Sequence, residues 1–163
     1  MFFQRLTFLK TIVLCHHNMT NTIELDRNFF FGGNATFTVE SDVTGAWRTY
    51  KIRQFKKTER FPTPTYGVFL LAGPDNQNSY AYIGMVDKAT GFFRLTKNSK
   101  RNENSPDVII FKWVMQGVFN GMVLRGGHIH HEGKCGCCGR TLTVPESIKR
   151  GIGPECWARI CGA

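Results

Sequence analysis

The sequence predicts an α+β fold: a small antiparallel β-meander sheet with one packed helix, followed by a compact cysteine-rich module. Short β-rich segments separated by turn formers run from Phe29 to about Lys97, and a single helical pattern follows them. Five of the six cysteines then fall between Cys135 and Cys161. With 163 residues, 42% of them hydrophobic, and fourteen Phe, the chain is large enough to bury one core.

Five segments of the meander are rich in the aromatic and β-branched residues that favour strands. Turn formers separate them: "FPTPT" has two prolines that cannot sit inside a sheet ladder, and "GPDNQN" is a strong turn signal. The segment "YGVFLLAG" is almost continuously apolar, so we expect it to be the central strand. The predicted strands lie at 35–40, 47–55, 66–73, 80–87 and 92–97.

One amphipathic helix is predicted to lie across the sheet, over residues 105–121. Ser105 can cap it, Pro106 suits a first helical turn, and Asp107 complements the helix dipole there. Gly121 ends the pattern. Its apolar face is expected to consist of Ile110, Trp113, Val114, Gly117 and Val118.

The sequence divides into three parts. Residues 1–19 resemble a secretory signal only superficially, because Lys10 interrupts their apolar stretch and no small-residue cleavage site follows. They are expected to be an N-terminal extension, since Met19 would be a natural start, and a short helix or strand packed on the domain is the alternative. Residues 20–121 form the β-rich α+β domain, and residues 122–163 form the cysteine module, which opens with a short strand at 122–125. No run approaches the roughly 18 apolar residues of a membrane span, so we expect a cytoplasmic protein without a membrane partner.

The clustered cysteines predict a metal site. An expected reducing compartment argues against a disulfide framework, and the clustering argues against a single catalytic thiol. Cys135 and Cys138 have the C-x-x-C-G spacing of a zinc knuckle, in which a tight turn points two thiolates at one ion and backbone N–H groups at the sulfurs. Gly139 permits the left-handed residue that such a turn needs. This geometry selects Cys138 and leaves Cys137 pointing elsewhere.

The second half of the predicted site lies in "GIGPEC". Glycine followed by proline signals the start of a helix, which puts Cys156 in the first turn, where the positive end of the helix stabilises a thiolate. Between the two halves, Thr143 and Glu146 form a predicted capping box for a short helix that Gly151 ends.

The fourth ligand is expected to be His131, which can fold back over the knuckle. His128 and His130 lie on the other face of any strand there and remain alternatives, whereas Cys161 is about 140° round a helix from Cys156. A knuckle followed by a ligand at a helix start is a treble-clef-like arrangement, and an all-protein ligand set closes the site. The predicted ligands of one structural Zn²⁺ are Cys135, Cys138, Cys156 and His131.

The stretch "CGCCGRTLTVPESIKRGIGPEC" resembles a C-terminal module of small, uncharacterised phage and bacterial proteins, read as C-x-x-C-G-R-x-L-T-x-P-x-S-I-x-x-G-I-G-P-x-C. The match runs from Cys135 to Cys156, and the preceding "HEG" at 131–133 also fits. Cys137 and Cys161 depart from the pattern. The resemblance implies zinc binding and a phage or prophage setting, and it implies no activity.

The net charge of +9 favours a polyanionic partner. Residues 46–60 carry six basic residues against one Glu, and residues 91–104 carry four against one. Neutralising the phosphate backbone while bases stack on aromatic rings is how non-specific single-strand binders work. The predicted nucleic-acid-binding residues are Arg48, Lys51, Arg53, Lys56, Lys57, Arg94, Lys97, Lys100, Arg101 and Trp47. Five aromatic residues are interleaved with these cations: Trp47, Tyr50, Phe55, Phe92 and Phe93. We expect three of the five to lie in the core.

These features predict a non-enzymatic, zinc-containing nucleic-acid-binding accessory protein that is phage-encoded and prefers single strands. An enzyme and a small-molecule substrate are not expected, because Glu132 lies too close to Cys135 for a zinc deaminase signature and the sequence has no phosphate loop or serine elbow. The alternative is a phage protein that binds an acidic surface of a host protein and inhibits transcription or defence machinery. A third possibility is an assembly protein whose tail is fixed by zinc.

Overall fold

The structure, a computed structural model, describes residues 26–59, 61–121 and 124–162. The N-terminal extension predicted over 1–19 lies outside these ranges. None of the helices within them is long and apolar enough to cross a membrane. The elements in chain order are α1 (Arg27–Phe30), β1 (Asn34–Ser41), β2 (Trp47–Gln54), β3 (Tyr66–Leu71), β4 (Tyr80–Val86), β5 (Phe93–Arg94), α2 (Pro106–Asn120), β6 (Gly127–His131), α3 (Pro145–Arg150) and α4 (Pro154–Cys161).

Six strands form one antiparallel sheet in the order β5-β4-β3-β2-β1-β6. This sheet confirms the α+β class and the five-stranded meander, with β3 in its interior as predicted. The sixth strand was misplaced in the prediction: residues 124 and 125 are not in a strand, and β6 begins at Gly127. Gly126 takes a φ of +87°, which turns the chain before β6 pairs with the outer edge of β1.

One face of the sheet, which we call the core face, packs against α2. Residues paired across strands point the same way, so the register places Phe37, Tyr50 and Leu70 together on this face. The ring of Tyr50 lies 5.5 Å from that of Phe111 on α2, measured between centroids. Its hydroxyl donates a hydrogen bond of 2.9 Å to the carbonyl of Asp107, which ties the first turn of α2 to β2.

Helix α2 occupies the predicted segment, between Ser105 and a left-handed Gly121, but its predicted apolar face is wrong in part. Ile110, Trp113 and Val118 are only half-buried, although they pack against the core. The hydrogen bond from Tyr50 and the ion pairs of the Asp107 carboxylate fix the rotation of the helix about its axis. The residues that α2 buries are Val108, Phe111, Val114, Met115 and Gly117.

The short helix α1 lies in a region where only strands and turns were expected. Asp26 caps it, because its carboxylate accepts a 2.7 Å hydrogen bond from the backbone N–H of Asn28. Phe29 and Phe30 are fully buried, and the Phe30 ring packs edge-on against Phe37 of the core face at 5.1 Å. One turn of helix therefore inserts two aromatic rings beside the sheet.

The C-terminal segment shares the core of the sheet domain. Asn34 at the start of β1 donates a 2.7 Å hydrogen bond to the carbonyl of Gly136. A side chain at Gly136 would approach the carbonyl oxygen of Phe29 to 2.6 Å, so the two segments are in close contact there. The boundary between 20–121 and 122–163 stays a prediction, while β6 joins the sheet across it.

Candidate metal centre

The first half of the candidate site is a tight hairpin over residues 133–142. The N–H of Cys135 donates to the carbonyl of Arg140 at 2.8 Å, and the N–H of Leu142 donates to the carbonyl of Gly133 at 2.7 Å. Gly139 has a φ of +75°, which confirms the left-handed glycine expected after the second cysteine of the knuckle.

The second half is the start of α4. The helix begins at Pro154 after Gly153, as predicted, and Cys156 lies buried in its first turn. The N–H of Gly153 donates to the sulfur of Cys135 at 3.4 Å, so the loop before α4 contacts the knuckle directly.

The short helix α3 joins these halves and also corrects one expectation. It runs from Pro145 to Arg150 and ends at a left-handed Gly151, as predicted. Its N-cap is Val144, and no side chain caps it, so the predicted capping box of Thr143 and Glu146 does not form. Proline at the first helical position starts this helix instead.

Three thiols converge between the two halves. The sulfurs of Cys135, Cys137 and Cys156 all lie within 4.8 Å of one another, so this cluster could hold a metal ion. The thiol of Cys138 makes hydrogen-bonding contacts with those of Cys135 and Cys156, which makes it a fourth member. We refer to these four side chains as the thiol cluster.

The place of Cys137 in the thiol cluster corrects the expectation that its side chain points away from the site. Its sulfur lies against the turn that follows α1, only 2.7 Å from where a Cβ on Gly32 would lie. Because the glycine leaves that space open, the Cys137 thiol can turn inward beside Cys135 and Cys156. The reason is a tertiary contact with a segment about a hundred residues earlier in the chain.

The thiols of the cluster differ in acidity. Burial raises the pKa of the Cys135 thiol, but N–H groups of Gly153, Cys138 and Cys137 outweigh it and lower that pKa to about 7. Burial raises the pKa of Cys137 to about 12, and the neighbouring thiols of Cys135 and Cys156 add to the rise. The cluster thus has one sulfur already favoured as a thiolate.

The thiol of Cys156 departs from the expected acidity. Burial and hydrogen bonds with Cys138 and Cys135 raise its pKa, although it lies at the start of α4. Arg159 opposes this rise by donating a hydrogen bond to the Cys156 sulfur at 3.0 Å. Without a metal ion, the effect of burial on the pKa of Cys156 is larger than that of the helix terminus. A bound divalent cation would lower this pKa, because a coordinated thiol is deprotonated.

The histidines lie at different positions around the thiol cluster. His131 is on the core side of β6, paired with Phe37, and its ring lies 5.7 Å from that of Phe29. Its Nδ1 accepts a 3.0 Å hydrogen bond from the N–H of Gly133. His128 and His130 lie on the opposite side of β6, where each pairs with a carboxylate.

Cys161 lies exposed at the end of α4, outside the thiol cluster, as the helical geometry predicted. Three sulfurs of the knuckle and one from the first turn of α4 can surround one ion. Tetrahedral coordination with Zn–S bonds of about 2.3 Å would place the sulfurs about 3.8 Å apart, which small adjustments of this cluster would achieve.

The predicted basic residues are distributed over both sides of the sheet. Arg48 and Arg101 both pair with the carboxylate of Asp107, at 2.7 and 2.9 Å, so their charge is partly neutralised beside α2. The register places Trp47, Lys51, Arg53 and Arg94 on the face opposite the core face, which we call the open face. Lys56 and Lys57 follow β2, and Lys97 and Lys100 lie between β5 and α2.

The aromatic residues also divide between the faces. Two of the five considered, Tyr50 and Phe93, are buried rather than the expected three. Trp47, Phe55 and Phe92 are exposed, at 61%, 39% and 69%.

The open face has further aromatic rings that sequence reasoning did not single out. Phe69 of β3 pairs with Tyr82 of β4, and their rings lie 5.6 Å apart. The Phe55 ring lies over Gly67 and 6.3 Å from Phe69, and Tyr80 receives the ammonium of Lys51 at 3.7 Å. The alternation of side chains along the strands "YGVFLL" and "YAYIG" could have indicated that these rings share one face of the sheet. Which rings are neighbours depends on the strand register, which the sequence pattern does not contain.

The fold and the site together define a small α+β protein with a cysteine cluster that can hold a metal ion. The model of DUF6011, a family of unknown function, matches residues 128–160. This match spans most of β6, the knuckle, α3 and most of α4, which is the segment whose resemblance to an uncharacterised module was noted above. No curated protein and no solved structure matches the chain.

Proposed function

We propose that the protein is a non-enzymatic nucleic-acid-binding accessory protein that contains one structural zinc ion and prefers single strands. The observation that carries the proposal is the open face, where aromatic rings and cationic side chains lie side by side on adjacent strands. A phage setting and a cytoplasmic location, expected from the sequence, belong to the same proposal.

Zinc is the proposed ion because soft thiolates and tetrahedral geometry suit it, and a site filled by protein ligands is structural. Cys135 and Cys138 of the knuckle with Cys156 at the start of α4 form a treble-clef-like site. For the fourth position the geometry favours Cys137 over His131, because the Cys137 sulfur is already among the thiols while Nδ1 of His131 accepts a hydrogen bond from Gly133.

The open face suits unpaired bases. The rings of Phe55, which directly follows β2, Phe69 of β3 and Tyr82 of β4 form a row, with successive centroids 6.3 and 5.6 Å apart. Phe55 is exposed, Phe69 and Tyr82 are half-buried, and the three rings pack edge to face. A base that stacks on the accessible part of such a ring gains about 1–3 kcal/mol. Bases within a duplex already stack on one another, so an aromatic platform selects single strands.

The cations of the open face supply the complementary charge. Lys51 and Arg53 on β2 point to the same side as Phe69, and Arg94 on β5 lies beside Met85 of β4. Contacts between such cations and phosphates release counterions, so binding should weaken steeply as salt rises.

The proposal is tested with random single-stranded and double-stranded oligonucleotides at several salt concentrations. Replacing Phe69 or Tyr82 with Leu keeps apolar bulk but removes the ring, and should weaken single-strand binding at least about fivefold. Phe92→Leu is the matched control, because Phe92 is exposed but lies outside the aromatic row.

Two results would contradict the proposal. One is equal affinity for single strands and duplex together with unchanged affinity of Phe69→Leu and Tyr82→Leu. The other is the absence of oligonucleotide binding even at low salt, which would favour the alternative that the same cations bind an acidic host protein in order to inhibit it.

A further inference from the structure

A polar cavity of about 310 Å³ opens on the open face where the sheet meets the metal knuckle. Strands β1 and β2, the loop between β3 and β4, and the knuckle all contribute to its lining. The side chains that matter for recognition are Lys51, Arg53, Lys134, Glu132, Thr36 and Gln77.

The cavity has an excess of positive charge. Three cationic side chains and one carboxylate line it, which leaves a net charge of +2, and the carboxylate of Glu132 lies 3.4 Å from the ammonium of Lys134. Burial lowers the pKa of Lys51, Arg53 lowers it further, and Glu132 only partly offsets them. An anion placed among these cations would relieve their mutual repulsion.

We propose that this cavity binds a phosphate group of the strand that stacks on the open face, an inference that rests on the proposed function and assigns the phosphate position. Arg53 offers a planar fork that matches phosphate oxygens, and Lys51 adds a point charge beside it. The hydroxyl of Thr36 and the side-chain amides of Asn76 and Gln77 can supply neutral donors. The side-chain amide of Asn78 already donates to Asp75. A terminal phosphate and an internal phosphodiester share this chemistry.

The position beside the aromatic row supports this assignment. Lys51 pairs in register with Phe69, and its ammonium lies over the Tyr80 ring at 3.7 Å. A base stacked on Phe69 would therefore have its phosphate within reach of the cavity.

The knuckle forms one wall of the cavity. Lys134 is held by an isolated antiparallel bridge to Thr141, and the Asn34 side chain packs against Gly139. The hairpin that presents three thiols to the metal site therefore also positions one cation of the phosphate site.

The test measures single-strand affinity of the full chain against salt for Arg53→Gln, Lys51→Gln and Lys149→Gln. Lys149→Gln is the control because it removes the same charge from an exposed position of α3 outside the cavity. Either cavity variant should weaken binding about tenfold. It should also reduce the slope of log affinity against log salt by about 0.7, whereas the control should change neither by as much. Comparing 5′-phosphorylated with 5′-hydroxyl oligonucleotides shows which kind of phosphate is bound.

The outcomes separate this inference from the proposed function. If Arg53→Gln and Lys51→Gln behave like Lys149→Gln while Phe69→Leu still weakens binding, the open face binds strands and the phosphate assignment is wrong. If the wild type binds no oligonucleotide, inorganic pyrophosphate is titrated in its place. If pyrophosphate shifts the amide resonances of Arg53 and Gln77, the cavity is an anion site. If it shifts neither resonance, the inference that the cavity binds phosphate is wrong.

Discussion

At the scale of single residues, the thiol cluster depends on where four sulfurs point. Cys135 has a thiol pKa of about 7 because N–H groups of both loops outweigh its burial, while Cys137 and Cys156 have raised values. An ion bound by these sulfurs would have to displace the protons of Cys137 and Cys156. The identity of the fourth ligand is therefore a question that single substitutions can answer.

We expect Cys137→Ser to lower zinc affinity by at least about tenfold, because it removes one of four ligands and outer contacts alone are worth about 10- to 100-fold. His131→Ala should leave the stoichiometry at one ion per chain. Competition with a chromophoric chelator measures both. Cys161→Ser is the matched control, since it changes an exposed thiol outside the thiol cluster. Greater loss of affinity in His131→Ala than in Cys137→Ser would restore the histidine ligand.

Gly139 has the second residue-scale role, because its φ of +75° closes the knuckle. Gly139→Ala should cost about 1–2 kcal/mol through the left-handed backbone alone, and its Cβ would also lie 2.9 Å from the Asn34 side chain. Chemical denaturation and the zinc titration are the measurements.

Gly121→Ala separates the cost of the left-handed backbone from the cost of crowding and from the effect on the knuckle. Gly121 has a φ of +62°, and nothing lies within 4 Å of an added Cβ. Both variants should lose stability, but only Gly139→Ala should also weaken metal binding. Equal zinc affinity of the two variants would show that the knuckle does not need its glycine.

At the scale of elements, α2 and the sheet hold each other through a few rings. Phe111 is fully buried and lies 5.1 Å from Phe93 and 5.5 Å from Tyr50, measured between centroids. The half-buried Trp113 lies about 200° round the helix from Phe111, where its ring approaches Gly127 of β6. The face that anchors α2 on the sheet is therefore the one centred on Phe111.

Phe111→Ala should therefore destabilise the fold by about 3–5 kcal/mol, the usual cost of a large aromatic cavity. Ile109→Ala is the control on the same helix, because Ile109 is 53% exposed and its loss should cost less than about 0.5 kcal/mol. Urea denaturation measures both. Similar costs for the two substitutions would show that α2 is not packed on this face.

The elements that the sequence predicts well are those whose signals lie within the element itself or in the adjoining turns. The five strands of the meander, the boundaries of α2 and the start of α4 follow from turn formers, periodicity and the Gly-Pro signal, all of which act within a few residues. Helix α1 and strand β6 are stabilised by distant partners, since α1 buries its rings beside β1 and β6 pairs with the edge of β1.

The candidate site divides in the same way. The C-x-x-C-G knuckle and Cys156 are local signals, and the structure brings these cysteines together. Cys137 turns inward because of space at Gly32, and Arg48 is neutralised by Asp107 on α2. No local pattern contains these contacts, which join residues far apart in the sequence.

At the scale of the whole molecule, the thiol cluster and the sheet share one core. Cys135, Leu142, Ile152 and Cys156 belong to the same group of buried side chains as the rings of the sheet. The knuckle contacts α1 and β1, and β6 completes the sheet. Order in the metal module should therefore support order in the sheet.

Removing metal with a chelator should lower the melting temperature of the entire chain by about 10 °C or more, because a structural ion contributes several kcal/mol to folding. The transition followed by tryptophan fluorescence should move together with that followed by far-ultraviolet circular dichroism. Single-strand affinity should also fall, since Lys134 belongs to the knuckle. A sheet that melts at its original temperature after chelation would show that the two parts are independent.

The most direct test of the account is the metal content of the protein purified under reducing conditions without added metal, measured by elemental analysis and by native mass spectrometry. The account predicts one zinc ion per chain in the wild type, and less than about a tenth of that occupancy in a variant with Cys135 and Cys156 both changed to Ser. A wild-type chain that contains no divalent metal and binds none on titration with zinc would contradict it.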